Sequence, residues 1–199
     1  MIQYKLVEDL VFQKLHNESS GHDYYHAQRV LKNALEISSI YDINIDVIKA
    51  SCLIHDLIDH KLDDKHKSST KQIKEVLIQS QFSTEEITHI FDIIENISYS
   101  KGNIPSSLEG KIVQDADRLD ALGAIGIART FAFGGKKGRL IYGPKDDKAN
   151  SVAHFYDKLF KLTELMNTHE AKELAVKRTA FMEEFILELQ KETNYNTLK

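Results

Sequence analysis

This chain of 199 residues contains one cysteine, two prolines and no excess of positive charge, and each scarcity removes a class of protein. Cys52 alone cannot form an internal disulfide, which fits a reducing compartment, and its apolar neighbours make it a small buried hydrophobe. With Lys+Arg 26 against Asp+Glu 30, the net charge is -4. The strongly basic face of a general nucleic-acid binder is therefore missing, and no nucleic acid polymer is expected as a partner. A small anionic substrate steered by local basic groups stays compatible with that charge. No stretch approaches the ~20 uninterrupted apolar residues of a membrane span. Met1 to Leu15 carries Lys5, Glu8, Asp9 and Lys14, unlike a secretion signal. The expected setting is the cytoplasm, with no membrane partner.

The two prolines, Pro105 and Pro144, both sit in loop-like stretches, so long segments run without a breaker. Their apolar spacing is helical. Val30, Leu31, Ala34, Leu35 and Ile37 recur at three- and four-residue intervals, as do Ile73, Val76 and Leu77, then Ile87, Ile90, Phe91 and Ile94. Start signals agree: Asp23 before Tyr24, Asp46 before Val47, and Ser83-Thr84-Glu85-Glu86 as a capping box. Two long helices are expected in the last third, one from about 150 to 166 and one from after Thr168 to about 192. Loop signals fall at 60–67, at 98–107 and at 134–145, none long or biased enough to be a linker. The expectation is one all-α domain over 1–199. Its motif-bearing core covers about 20–130 and its C-terminal helical part about 147–192. The glycines around Gly138 and Gly143 leave room for one short hairpin at 138–143.

Four segments bring chemistry-bearing residues together. Ile54-His55-Asp56-Leu57 sets an imidazole beside a carboxylate inside the apolar stretch 50–59, where an unpaired charge is costly and a partner is expected. A divalent cation satisfies both groups at once, through neutral imidazole nitrogen and ionised carboxylate oxygen. Asp59 follows one turn after His55. In Gly21-His22-Asp23-Tyr24-Tyr25-His26, the two histidines are four apart and share a face at the start of a helix. In Gln114-Asp115-Ala116-Asp117-Arg118-Leu119-Asp120, three carboxylates and an arginine interrupt an apolar segment. His154 and Lys158 form the fourth and weakest pair. Singly, each has a plain structural reading. His22 or His26 suits a helix cap or the surface, Asp115 or Asp120 a cap or a partner for Arg118 or Arg129, and His154 with Lys158 a solvated face. Three separate helices interrupting apolar faces with metal-type ligands is a harder coincidence.

The ordered set His26…His55-Asp56…Asp117 resembles the HD-domain superfamily of metal-dependent phosphohydrolases. Its flanks do too: His-x-x-Arg-Val at His26 to Val30, His-Asp-x-x-Asp at His55 to Asp59, and Asp-Ala-Asp-Arg-Leu at Asp115 to Leu119. The stretches 123–131 and 154–159 are similar to the small stand-alone bacterial members, so the resemblance spans about 20–190. It implies an HD-type helical bundle and one divalent ion held by His26, His55, Asp56 and Asp117. Asp117 is preferred to Asp115 on its Ala-Asp-x-Leu context, with Asp115 as a supporting partner. The N2O2 set suits Mn, Fe, Co, Ni or Zn better than Ca; Mn is the first choice and Mg is also allowed.

The resemblance further implies hydrolysis of a nucleotide, most simply a (deoxy)nucleoside triphosphate cut to monophosphate and pyrophosphate by metal-activated water. Asp59 is the nearest group to orient or deprotonate that water, or else an acceptor for a ligand histidine. Arg118 is the first choice for a phosphate clamp, because guanidinium matches phosphate oxygens in pairs. Arg129, Lys136, His154 and Lys158 are further phosphate contacts on this view. A nucleoside monophosphate phosphatase or signalling-nucleotide hydrolase keeps the chemistry with another substrate. A metal-binding regulatory module without turnover is the alternative of another class. Apolar helix faces suit a monomer or a homodimer.

Overall fold

The three- and four-residue apolar spacing is realised as helix along most of the chain. A computed structural model describes residues 1–18, 21–58, 68–97, 102–143 and 150–193. Among the described residues it is all-α, without a strand. Its helices are α1 (Tyr4–Leu15), α2 (Tyr24–Ser38), α3 (Ile45–Ile54), α4 (Thr70–Gln79) and α5 (Thr84–Asn96), followed by α6 (Leu108–Asp120), α7 (Gly123–Lys136), α8 (Ser151–Asp157) and α9 (His169–Thr193). Short 3-10 helices occupy His55–Ile58 and Leu159–Leu165. No helix among the described residues is long and apolar enough to cross a membrane. The chain divides into two compact units, Met1–Asp117 and Arg118–Lys199, with the boundary inside α6.

Within the first unit α3 is the central element. Seven of its ten residues are buried, which leaves only Ile45, Asp46 and Lys49 partly exposed, and α1, α2 and α5 all pack on it. Burying side chains such as Ile48, Leu53 and Ile54 stabilises the unit by roughly 1.5–3 kcal/mol each. Helix starts follow local chemistry. Asp23 caps α2, accepting from His26 N at 2.7 Å. Ser83 and Glu86 form the expected reciprocal capping box of α5. The start of α3 departs from expectation. Asn44, not Asp46, is the cap, accepting from Asp46 N at 3.1 Å and Val47 N at 3.2 Å. Its amide nitrogen donates to Glu86 Oε1 at 3.1 Å, while Asp46 accepts from Tyr4 Oη. Both residue types cap well, and these tertiary partners chose between them. Buried Asn33 on α2 donates to the Ala116 carbonyl of α6 at 3.1 Å, tying together two helices that carry site residues.

In the second unit α9 packs on α7 and on the Leu159–Leu165 segment, and α8 packs on both α7 and that segment. Phe131, Phe155 and Phe185 meet ring to ring in its core. Two sequence expectations are corrected here. The hairpin at 138–143 does not form. Gly138, at φ +67°, instead ends α7: its N–H bonds Gly135 O at 3.1 Å and Arg139 N–H bonds Gly134 O at 2.8 Å, the Schellman pattern. The Leu140 and Ile141 carbonyls then accept from Ser151 N and Val152 N at the start of α8, so they are taken by a helix end and not by a partner strand. The helix expected over 150–166 breaks at Lys158 into α8 and the 3-10 segment. Phe155, Leu159 and Leu162 satisfy either winding, so periodicity could not separate them. Tertiary bonds accompany the tighter form: Thr163 Oγ1 to Thr179 Oγ1 at 2.8 Å, and Arg118 Nη1 to the Leu165 carbonyl.

Removing the Asn33 amide takes away its bond to the Ala116 carbonyl of α6. Asn33→Ala is expected to lower stability by about 0.5–1.5 kcal/mol, read as a lower urea midpoint with an unchanged m-value. An unshifted midpoint shows that this bond does not hold α2 to α6.

Candidate metal centre

The local fold delivers the four ligand-type side chains from three elements. His26 stands in the first turn of α2, just after the Asp23 cap. The apolar helix α3 ends at Ile54, and the 3-10 turn that follows presents His55 and Asp56 together. Asp117 comes from the last turns of α6. All four belong to the first unit. The doublet thus sits in a turn at the end of the buried helix and not inside it.

The side-chain atoms converge. His26 Nε2 lies 3.2 Å from His55 Nε2, 3.2 Å from Asp56 Oδ2 and 3.5 Å from Asp117 Oδ1. His55 Nε2 lies 3.5 Å from Asp56 Oδ1 and 3.8 Å from Asp117 Oδ1. His26, His55 and Asp56 are buried, whereas the Asp117 side chain is 33% exposed, so the cluster opens on the Asp117 side. Burial by itself favours the neutral acid at Asp56. His55 and His22 beside it, with hydrogen bonds from His22 and His26, outweigh burial and hold the carboxyl well below the ordinary carboxylate range.

His55 Nδ1–H donates to the Cys52 carbonyl at 2.8 Å, which leaves the Nε2 lone pair of the neutral ring directed at the other donors. A ring nitrogen facing another ring nitrogen at 3.2 Å in a dry site needs a proton or a cation between them. Donors bonded to one ion at about 2.0–2.2 Å stand roughly 3.0–3.5 Å apart, close to the separations here. Two carboxylates balance a divalent charge and two imidazoles complete an N2O2 set, so the residues fit a borderline transition-metal ion. Burial pushes the Cys52 thiol upward, which fits a filler and not a nucleophile.

The remaining site residues expected from the sequence are distributed as follows. Asp59 lies outside the described residues. Buried Arg118 donates to the Leu165 carbonyl. Arg129 pairs with Asp120 at 2.8 Å and also donates to its carbonyl at 3.2 Å, while Arg178 donates to the Leu119 carbonyl at 2.6 Å. Arg129 and Arg178 thus cap the C-terminal carbonyls of α6, where cations are favoured. Lys136 closes the last turn of α7 at the surface. His154 on α8 is held below its ordinary pKa by burial and then by the positive charges of Lys158 and Arg139. Asp115 is fully buried one turn before the end of α6. His22 joins the cluster through Asp56. It precedes α2, outside the helix, and its Nδ1 lies 2.9 Å from Asp56 Oδ2. The four-residue offset from His26 was the available signal, but only the fold reveals a contact spanning 34 positions.

This donor cluster in a helical frame is the signature of the HD domain. The family model for the HD domain matches residues 23–122, and the chain belongs to that family. Among its relatives is the uncharacterized protein YpgQ of Bacillus subtilis strain 168, 41% identical over 182 residues, or 89% of this chain and 87% of YpgQ. The crystal structure of YpgQ in complex with ADP superimposes with a TM-score of 0.83 at 37% identity, covering 94% of this chain and 93% of that one. An HD-superfamily hydrolase from Bacillus thuringiensis matches with a TM-score of 0.77 at 42% identity, over 98% and 99% of the two chains.

Metal analysis of purified protein tests the cluster directly. Wild type is expected to carry or take up one divalent ion per chain, and His55→Ala none. Asp117→Ala should weaken Mn2+ binding beyond the ~10–100-fold that follows loss of a residue hydrogen-bonded to a ligand. Equal metal content in wild type and His55→Ala removes the assignment.

Proposed function

We propose that this chain is a metal-dependent phosphohydrolase acting on a nucleotide, which it cuts as a (deoxy)nucleoside triphosphate to monophosphate and pyrophosphate. The observation that carries the reading is the convergence of His26, His55, Asp56 and Asp117 at 3.2–3.8 Å in a site open at Asp117. HD-domain membership and the likeness to an HD-superfamily hydrolase support hydrolysis. The ADP-bound structure of YpgQ supports a nucleotide ligand. The triphosphate and the position of cleavage follow the resemblance to small bacterial members. The reducing cytoplasm fits the lone buried Cys52.

On this reading the four residues hold one divalent ion, with Mn the first choice. When bound, such an ion withdraws charge from a phosphoryl oxygen and makes water acidic enough to attack near neutral pH. The chain supplies the rest. The buried imidazoles and Asp56 exclude bulk water from one side, and substrate approaches past Asp117. Asp59 takes the proton of the attacking water. Arg118, Lys136, His154 and Lys158 offset the phosphate charge, and Arg129 is bound to Asp120 in a structural pair.

A screen of nucleoside tri-, di- and monophosphates against Mn, Mg, Co, Ni and Zn, with product identification, tests the reaction. Monophosphate with pyrophosphate is expected. Inorganic phosphate released from monophosphates moves the assignment to a nucleoside monophosphate phosphatase. Metal-loaded protein without turnover on any of them makes it a regulatory module.

Two variants test the residue roles. Asp59→Asn should lower kcat by about 100- to 10,000-fold while metal binding persists. Arg118→Ala should lower kcat/KM for a triphosphate with metal binding intact; an unchanged value ends its role as a clamp.

A further inference from the structure

We infer that His22 is a positioning residue for the metal centre, a hydrogen-bond donor that fixes how the Asp56 carboxylate faces the other ligands. The inference rests on the reading of His26, His55, Asp56 and Asp117 as a metal site, and goes beyond it by assigning a residue outside that set. His22 Nδ1 lies 2.9 Å from Asp56 Oδ2. Ionised Asp56 can only accept, so Nδ1 carries the proton.

The surroundings of His22 hold it in that place. Its backbone N–H donates to Glu18 Oε2 at 3.2 Å. Gly21 before it adopts φ +93°, a left-handed conformation that a residue with a side chain rarely takes. Asp23 after it is committed to capping α2. The ring packs edge-on to that of His26, with centroids 5.4 Å apart and planes at 78°. This backbone setting delivers one N–H to one carboxylate oxygen.

Asp56 needs such a partner. It sits on a four-residue 3-10 turn at the end of α3, and its two oxygens face different ligands: Oδ2 meets His26 Nε2 at 3.2 Å and Oδ1 meets His55 Nε2 at 3.5 Å. Rotation about the terminal carboxylate bond is soft, so nothing in the side chain itself sets the plane. A bond from His22 to Oδ2 sets it, and leaves Oδ1 turned to His55. The carboxylate is then ordered before an ion arrives, and the ordering cost is not charged to binding.

The test is a titration of metal-free protein with Mn2+, followed by the electron paramagnetic resonance signal of the free ion, on wild type, His22→Ala and His22→Asn. The asparagine amide nitrogen takes the place of Nδ1 as donor. His22→Ala is expected to weaken Mn2+ binding about 10- to 100-fold, and His22→Asn to recover most of that loss. Electron spin echo modulation of bound Mn2+ should report two imidazole nitrogens in wild type and in His22→Asn. Three in wild type would make His22 a ligand and overturn the inference. Equal weakening in both variants, or none in His22→Ala, also overturns it. Wild type that binds no Mn2+ overturns the metal site itself, a separate outcome. Should His22→Ala fail to fold by circular dichroism, His22→Asn decides alone, since loss of affinity there contradicts a donor role.

Discussion

The candidate site of the first unit rests on the mutual approach of two imidazole nitrogens and two carboxylates, with His26, His55 and Asp56 buried and Asp117 open to solvent. His26 Nε2 and His55 Nε2 at 3.2 Å, with Asp56 and Asp117 beside them, form a cluster whose members would repel or strand one another without a shared positive partner. Each of the elements around it can be read as a means of holding that approach. A buried apolar helix ends where the doublet is needed, a capped helix start presents His26, and Asn33 ties that helix to the one bearing Asp117.

The same economy extends outward by one hydrogen bond. The Cys52 carbonyl accepts from the His55 ring and His22 Nδ1 stands against Asp56 Oδ2, so two of the four side chains are held by groups outside the cluster. Around α6 the pattern continues in the second unit, where Arg129 and Arg178 cap the carbonyls of Asp120 and Leu119. Several of the basic residues that look like phosphate contacts in the sequence therefore also satisfy backbone groups. Charge type alone could not separate those roles, because a guanidinium suits a helix end as well as a phosphate.

Much of the fold was legible. The starts of α2 and α5 and the extent of α9 follow from cap residues and apolar spacing that act within a turn or two. The departures from local expectation have a common origin. Asn44 displaced Asp46 because Glu86 and Tyr4, distant in sequence, hold the two side chains. Leu140 and Ile141 turned to α8, and Lys158 broke a helix whose apolar pattern allowed either winding. In each, a long-range hydrogen bond decided between locally equivalent choices.

The site divides along the same line. His26, His55, Asp56 and Asp117 stand out in the sequence as a candidate set because ligand chemistry restricts residue type and the family motif restricts order, and the fold brings the four together. What the sequence by itself determined is therefore the helical class, most helix limits and the candidate donor set, all governed by local spacing and side-chain chemistry. Only the tertiary structure decided the terminal turn that carries the doublet, the tautomer of His55 set by a backbone carbonyl, and the contact of His22 with Asp56. Those depend on distances between atoms far apart in the chain, and a one-dimensional pattern carries no such distances.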